Sequence, residues 1–286
     1  YQGEVLLPDF LQQPIVNISG YVIADKDKFM VQNVNAASAS GLIYGYGEII
    51  FNRWKFEHYL FHVNSQSIPA LFKVGPLDAQ GTGYVEDLIM EGRNGVYNFL
   101  GNLVIENADV DLEALLGLNK RLKIEPLPIN VIFNIKSGQK IKVNYPLIAG
   151  ILKKDQNLLV KYIGEEATVY LGGNIALEKG TVNYLNKKFI IENASFKFFE
   201  DEDKINPLVN LKSFFRTRGS KRDNLKIYLT INDRLLPFTT SFSSFPYRSQ
   251  EEINALLGIG VNLDKLAENE DNAQNKNEFA TNLGKA

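Results

Sequence analysis

The sequence predicts an all-β protein, and two observations lead to this class. Apolar and polar residues alternate with a period of two along much of the chain, as they do in strands that bury one face. Strand-forming residues are also common, with 18 Phe and 13 Tyr among 286 residues. We therefore expect a mostly antiparallel sheet, together with one short helix near the C-terminus.

The charge and composition exclude several classes of function. Lys and Arg number 31 against 33 Asp and Glu, and a net charge of −2 argues against nucleic acid as a partner. Cysteine is absent, which excludes disulfides, thiolate metal sites and cysteine nucleophiles. No apolar run approaches the roughly 20 residues that a membrane-spanning helix needs. Any membrane anchor is therefore expected outside this part of the sequence.

Four segments show the alternation most clearly and are predicted to be strands with one buried and one solvated face. The apolar residues of these strands occupy every second position of the following ranges: Ala167–Leu177, Ile129–Ile135, Ile141–Leu147 and Leu225–Ile231.

The turns between these strands can be placed by register, because a slip of one residue would move every apolar side chain to the wrong face. A three-residue loop centred on Gly138 pairs Ile135 with Ile141. Three further turns keep the apolar residues opposite one another and predict an antiparallel meander over residues 165–199. These turns lie at Lys179-Gly180, at Leu185–Lys188 and at Glu192-Asn193.

A capping box predicts the short helix. Ser249 would accept a hydrogen bond from the amide of Glu252, and the Glu252 side chain would return one. Gly258 ends the predicted helix, whose apolar face consists of Ile253, Leu256 and Leu257. From Asn262 onward the chain is polar and poor in aromatic residues, which predicts a solvated helix or a disordered tail.

No constellation of residues predicts an enzyme. His58 and His62 have a spacing seen in zinc sites, but the HExxH motif and a third ligand are missing. Glu200–Asp203 lacks the spacing and the glycine of a calcium loop, and it fits a solvated hairpin tip. No serine has a recognisable His and Asp partner. We therefore expect no catalytic residue, no metal and no cofactor.

The strongest basic cluster is Arg216–Arg222, between predicted strands at Val209–Phe215 and Leu225–Ile231. It could contact anionic lipid headgroups or an acidic partner. The more ordinary interpretation is an exposed hairpin loop whose charge discourages pairing at a sheet edge.

The alternating apolar positions leave two arrangements open. In a sandwich, each apolar face is buried against a second sheet. In a groove, the same face stays open to an acyl chain or to an apolar strand. Because large exposed apolar patches are rare in monomers, the residues alone favour the closed core.

An ordered set of motifs from Ile129 to Gly260 resembles the C-terminal region of TamB-like proteins, also called the DUF490 family, which are relatives of AsmA. Two positions depart from the family pattern, because Phe245 stands where Asp is common and Ala194 where Gly is common. The motifs are Leu171–Tyr184, Phe189–Phe198, Asn206-Pro207, Pro237, Ser244–Pro246 and Ser249–Gly258.

This resemblance implies a periplasmic protein that is anchored in the inner membrane and reaches the outer membrane. Its sheet would curl into a "β-taco" with an apolar groove that conducts phospholipid between the two membranes, or that assists assembly of outer-membrane proteins. An Omp85-type barrel protein is the implied partner. The implied segments are an N-terminal β-groove over residues 1–128, the TamB-like β-taco over residues 129–260 and a polar tail over residues 261–286.

On this interpretation, the groove is lined by apolar residues of several strands. Arginine at Leu171 or Ile227 is then expected to block lipid passage and to leave the fold intact. The alternative is an interaction module with a closed core, in which an edge strand pairs with the barrel protein by β-augmentation. The expected lining residues are Val131, Phe133, Val169, Leu171, Ile175, Leu177, Phe189, Phe196, Ile227 and Leu229.

Overall fold

The structure is a computed structural model, which describes residues 11, 13–39, 41–53, 55–74, 77–111, 128–144, 147–202, 205–218 and 224–258. The polar tail predicted over residues 261–286 lies outside these ranges. The side chains of residues 70–79 and 111 are likewise outside the description.

The described residues form fifteen β-strands and one α-helix, which confirms the predicted all-β class with a single short helix. The elements are β1 (Ile15–Asp25), β2 (Lys28–Ser38), β3 (Gly41–Asn52), β4 (Lys55–Ser65), β5 (Ile68–Val74), β6 (Leu77–Arg93), β7 (Val96–Asp111), β8 (Ile129–Asn144), β9 (Ile148–Leu152), β10 (Asn157–Ile163), β11 (Thr168–Tyr184), β12 (Lys187–Phe198), β13 (Leu208–Arg218), β14 (Asn224–Arg234), β15 (Thr240–Phe245) and α1 (Gln250–Leu257).

All fifteen strands belong to one sheet, in the order β1-β2-β3-β4-β6-β7-β8-β10-β11-β12-β13-β14-β15. Strand β5 pairs with β6, and β9 pairs with both β8 and β11, so that β9 and β10 share the space between those two long strands. Among the described strands, β7 and β8 are the parallel pair and all other pairs are antiparallel. The helix found in the described ranges is too short to cross a membrane.

The hairpin predicted around Gly138 is wrong, because β8 continues through this glycine as one strand. Its partner is β7, with Ile135 opposite Leu103 and Ile141 opposite Ala108. A Cβ atom at Gly138 would lie only 2.6 Å from the Cα atom of Glu106 in β7. The glycine therefore permits a close approach of two backbones at an irregular point of the ladder, rather than a turn.

The turns predicted at Lys179-Gly180 and Glu192-Asn193 are also wrong. Strand β11 runs through the first site, where Gly180 faces β9 so closely that a Cβ atom would lie 2.9 Å from the Cα atom of Gly150. Strand β12 runs through the second site, where its pairing with β13 shifts between Ile191 and Asn193. The meander predicted over residues 165–199 is thus one hairpin of two long strands.

Two other predicted hairpins occur at the expected places. The turn between β11 and β12 consists of Leu185 and Asn186, both with positive φ, as a type I′ turn requires. Tyr184 lies opposite Lys187 rather than Phe189, a register difference of two residues that keeps each side chain on its predicted face. Strands β13 and β14 form the second hairpin, and residues 219–223 of its loop lie outside the described ranges.

The predicted capping box is present at the start of α1. The Ser249 hydroxyl accepts a hydrogen bond of 3.4 Å from the Glu252 amide, and the Glu252 carboxylate accepts one of 3.4 Å from the Ser249 amide. Gly258 ends the helix with a φ of 78°, in the left-handed region that glycine adopts readily. The side chains of Ile253 and Leu257 are buried.

Replacing Ser249 by Ala is expected to lower the free energy of unfolding by about 1 kcal/mol, because the amide at the third helical position loses its partner. Urea unfolding followed by circular dichroism measures this change. Ser249→Thr keeps the hydroxyl and serves as the control, which should retain most of the stability. Equal losses in the two variants would contradict the capping role.

Candidate functional site

The strand register gathers the apolar side chains on one face of the sheet. Directly opposite residues point to the same side of neighbouring strands. Val131, Tyr162 and Val169 lie opposite one another across β8, β10 and β11, and so do Phe133, Val160 and Leu171. We call the side of the sheet that carries these residues, and those opposite them in the other strands, the apolar face.

Irregularities in the pairing keep the apolar residues on this face where the sequence changes phase. In β7 the register shifts between Ile105 and Asn107, and Ile105 and Ala108 are both buried in one cluster. In β11 a shift follows Leu177, and both Leu177 and Val182 belong to a second cluster. Ile105 and Ala108 are three positions apart, and Leu177 and Val182 are five positions apart. A regular strand would place residues at such odd spacings on opposite faces.

Toward the C-terminus the apolar face is a closed core. Phe189, Leu211, Ile227 and Leu229 have no solvent exposure at all. A side chain on a single sheet reaches this state only when another part of the chain covers it. Part of the cover comes from α1, since two of its side chains belong to the same cluster. The buried members are Ile148, Leu177, Val182, Phe189, Ile191, Ala194, Val209, Leu211, Leu225, Ile227, Leu229, Ile231, Ile253 and Leu257.

Short polar contacts fasten this closed end. The Asn206 side chain donates to the Leu236 carbonyl at 2.6 Å and accepts from the Leu236 amide at 2.9 Å. The guanidinium group of Arg234 donates to the two carboxylate oxygens of Glu202 at 2.9 and 2.7 Å and lies 4.6 Å from the ring centre of Phe199. These bonds join the chain before β13 to the end of β14 and to Leu236 just after it.

Toward the N-terminus the same face is open to solvent. Phe29, Ile49 and Tyr59 lie opposite one another on β2, β3 and β4, and Tyr97 of β7 continues the line. Few of the described apolar residues of β1 to β4 are buried, and Val22 of β1 is 67% exposed. The apolar face is therefore open on β1 to β4, carries a smaller buried cluster on β7 and β8, and is closed toward the C-terminus.

A row of aromatic rings crosses this open part near the hairpin turns. The ring centres are 5.4 Å apart for Phe29 and Phe51, 6.3 Å for Phe51 and Phe56, 6.0 Å for Phe56 and Tyr59, and 6.2 Å for Tyr59 and Tyr97. Phe56 is 50% exposed and Tyr97 is 37% exposed. Desolvation, with a smaller effect of Tyr97, raises the pKa of Tyr59 above its ordinary value.

All ten predicted groove residues lie on the apolar face, but the structure divides them by exposure. Five of them are buried at the closed end or next to it: Leu171, Leu177, Phe189, Ile227 and Leu229. The other five are only partly buried: Val131, Phe133, Val169, Ile175 and Phe196.

No sequence pattern predicted the aromatic row as part of the site. A usable indication is present in retrospect at Gly92, which lies opposite Tyr59 where a Cβ atom would collide with the tyrosine ring. A glycine opposite an aromatic residue indicates a ring that lies flat across the neighbouring strand.

His58 and His62 lie on the opposite face, each diagonally across from an acidic residue of β6. His58 Nε2 is 3.4 Å from a Glu91 carboxylate oxygen, and His62 Nδ1 is 3.9 Å from an Asp87 carboxylate oxygen. Within the described ranges, no group of three His, Cys, Asp or Glu side chains is arranged to hold a metal. The pairs join β4 to β6 and lie away from the apolar face.

The C-terminal part of the chain is similar to a known protein family. Residues 157–286 match the model of the TamB C-terminal domain. Residues 157–286 are therefore similar to the TamB C-terminal domain. The predicted resemblance is thereby confirmed, although the match begins in β10 rather than at Ile129, where the motifs had placed its start. No curated protein matches the chain.

The TamB match supports a TamB-like role in outer-membrane assembly or lipid transport in general. TamB proteins belong to the cell envelope. Within the described ranges, the match covers β10 to α1, which includes most of the closed end of the apolar face.

Proposed function

We propose that the apolar face carries phospholipid acyl chains through the periplasm, between the inner and the outer membrane. The observation that carries this proposal is the continuity of the face, which stays on one side along the order β2-β3-β4-β6-β7-β8-β10-β11-β12-β13-β14. Each CH₂ group removed from water stabilises an acyl chain by roughly 0.8 kcal/mol. On a continuous apolar surface, an acyl chain can pass from one strand to the next without returning its CH₂ groups to water.

The change in exposure along the face indicates the extent of the proposed path. Acyl chains have access to the part of the face that includes Phe61, Phe133 and Val169, whose side chains are partly exposed. They have no access to Phe189 or Leu229, whose surroundings already fill the space around them. The proposed path therefore passes over the partly exposed side chains from β2 to Val169 of β11 and ends where the core closes.

The opposite face of β7 and β8 carries polar side-chain pairs, although exposed Tyr46 and Leu100 also lie on that side of the sheet. Asn130 donates to Asn98 at 3.0 Å, and Asn134 donates to Asn102 at 3.2 Å, across the parallel strands β7 and β8. Lys142 lies 2.9 Å from Asp109 on the same strands. These pairs keep water, rather than lipid, on that side.

Photo-crosslinking at two adjacent positions tests the proposal. Val131 lies on the apolar face and Ile132 on the opposite face, and both are partly buried. With benzoylphenylalanine at position 131, ultraviolet irradiation of cells is expected to give adducts with the mass of a phospholipid. The same group at position 132 is expected to give none. Equal labelling of the two positions would rule out a path confined to the apolar face.

A second function, β-augmentation of an Omp85-type barrel protein, is favoured by the closed end of the sheet. There the apolar face is already buried. The six-residue strand β15 pairs with β14 alone among the described strands. Its free edge offers backbone groups to another strand. Binding of the purified barrel protein by a chain that carries no phospholipid in native mass spectrometry would favour this function over lipid transport.

A further inference from the structure

Six side chains form a patch on the polar face of β13, β14 and β15. Phe214 lies opposite Tyr228, and Lys226 lies opposite both Arg216 and Phe245. These positions alternate with the buried residues of the same strands, so they point away from the closed core. We call the group the basic-aromatic patch, and its members are Lys212, Phe214, Arg216, Lys226, Tyr228 and Phe245.

The cations of the patch are held over its aromatic rings. Arg216 and Lys226 both lie over Phe214, at 5.3 and 4.9 Å from the ring centre, and Lys212 lies 5.0 Å from the ring centre of Tyr228. Such contacts fix the position of each charge at the surface.

The positive charge of the patch is not balanced by the described residues. Lys212 is 3.4 Å from a Glu192 carboxylate oxygen, but no described carboxylate forms an ion pair with Arg216 or Lys226. Like charges directly opposite on neighbouring strands repel each other and destabilise the pair. An anionic partner would offset this repulsion.

Large apolar side chains at the same end are exposed. Phe245 is 70% exposed, Tyr247 is 82% exposed, and Ile190, which lies opposite Phe214, is 49% exposed. An acidic peptide would neutralise the cations but leave these side chains in water. A bilayer surface accepts both, because aromatic residues partition to its interface and anionic headgroups attract Lys and Arg.

We propose that the basic-aromatic patch binds the headgroup surface of an anionic phospholipid bilayer. Its cations contact the headgroup phosphates, and Phe245 and Tyr247 enter the interface. This docking uses the polar face and is independent of acyl-chain transport on the apolar face. It holds the closed end of the sheet at a membrane. Neither the family match nor the proposed acyl-chain path requires this contact.

Co-sedimentation of the 286-residue chain with phospholipid vesicles tests the docking. The chain is expected to bind mixed phosphatidylglycerol–phosphatidylcholine vesicles and to bind pure phosphatidylcholine vesicles much less. The double variant Arg216→Gln/Lys226→Gln should bind the mixed vesicles about thirtyfold more weakly, since each cation near an anionic surface contributes about fivefold. Phe245→Ser should weaken binding with both cations in place.

The charge-matched control is Lys140→Gln/Lys161→Gln, on the polar face of β8 and β10. Lys161 also lies over a ring, 5.4 Å from the centre of Tyr170, so the control removes an equivalent cation–ring contact. It should bind within about twofold of the unmodified chain, because its cations lie outside the patch. Equal losses in the two double variants would overturn the proposal.

Two other outcomes would also overturn the docking proposal. One is unchanged vesicle binding by the patch variant. The other is binding of poly-glutamate, lost in the patch variant, without any binding of vesicles. The variant Phe133→Arg, on the apolar face, should keep vesicle binding, so loss of lipid transport and loss of docking can be told apart.

Discussion

Replacing Ile227 by Arg is expected to unfold the C-terminal part of the sheet. Ile227 has no solvent exposure and lies in the closed core, opposite Phe215. An arginine there would bury a charge without a partner, which costs on the order of 4 kcal/mol or more. Urea unfolding would measure the loss. The sequence alone predicts an intact fold and a blocked lipid path for this variant, whereas the burial of Ile227 leads us to expect unfolding.

Thr230→Arg is the matched control for this substitution. Thr230 lies three residues along the same strand, on the polar face and opposite Lys212. Because the new guanidinium would reach water, we expect less than about 1 kcal/mol of destabilisation. Similar losses from the two variants would show that the β14 core tolerates charge, and the apolar face would then not be closed at this end.

Replacing Phe133 by Arg is expected to reduce the phospholipid bound to the purified chain by about tenfold or more and to preserve the fold. Phe133 is only partly buried, so the charge can reach solvent and the sheet can remain intact. The same charge stands in the proposed lipid path, and an acyl chain that passes it must desolvate it. Native mass spectrometry would measure the bound phospholipid.

The control for Phe133→Arg is Asn134→Arg, one residue further along β8. Asn134 lies on the polar face, where its amide bonds to Asn102, and an arginine there leaves the apolar face unchanged. Phospholipid should then remain at the level of the unmodified chain. A Phe133→Arg chain that folds and keeps its lipid would argue against the proposed path.

The sequence predicted which side chains share a face more reliably than it predicted which strands pair. Alternation is a local property, and Val131, Leu171 and Ile227 all lie on the face that it indicated. The alternation looks the same in two strands joined by a hairpin as it does in one long strand. The polar stretches around Gly138 and Gly180 therefore fit turns equally well, although both glycines lie inside strands at close contacts with a neighbour.

The parallel pairing of β7 with β8 could not be predicted for a related reason. The apolar residues Ile135 and Ile141 would meet across a hairpin, but they meet Leu103 and Ala108 of β7 instead. Both arrangements place apolar residues opposite one another. The choice depends on distant strands that compete for the same edge, and no local pattern records that competition.

Exposure of the candidate site was likewise beyond the sequence. Val131 and Leu229 occur in similar alternating segments, yet one is partly exposed and the other is fully buried. The difference arises from what covers each strand. The helix could be predicted from Ser249 and Glu252, but its position against the core depends on tertiary packing, which the capping box does not encode.

The interruptions of the ladder lie side by side in neighbouring strands. The register shifts next to Gly83 in β6 and next to Ile105 in β7, and Ser137 of β8 bonds to Lys153 and Gln156, in the turn where β9 ends before β10 begins. Bulged strands bend and twist more than regular ones. The aligned interruptions therefore form a crease that crosses β6, β7 and β8, where the sheet bends more sharply than an unbroken ladder would.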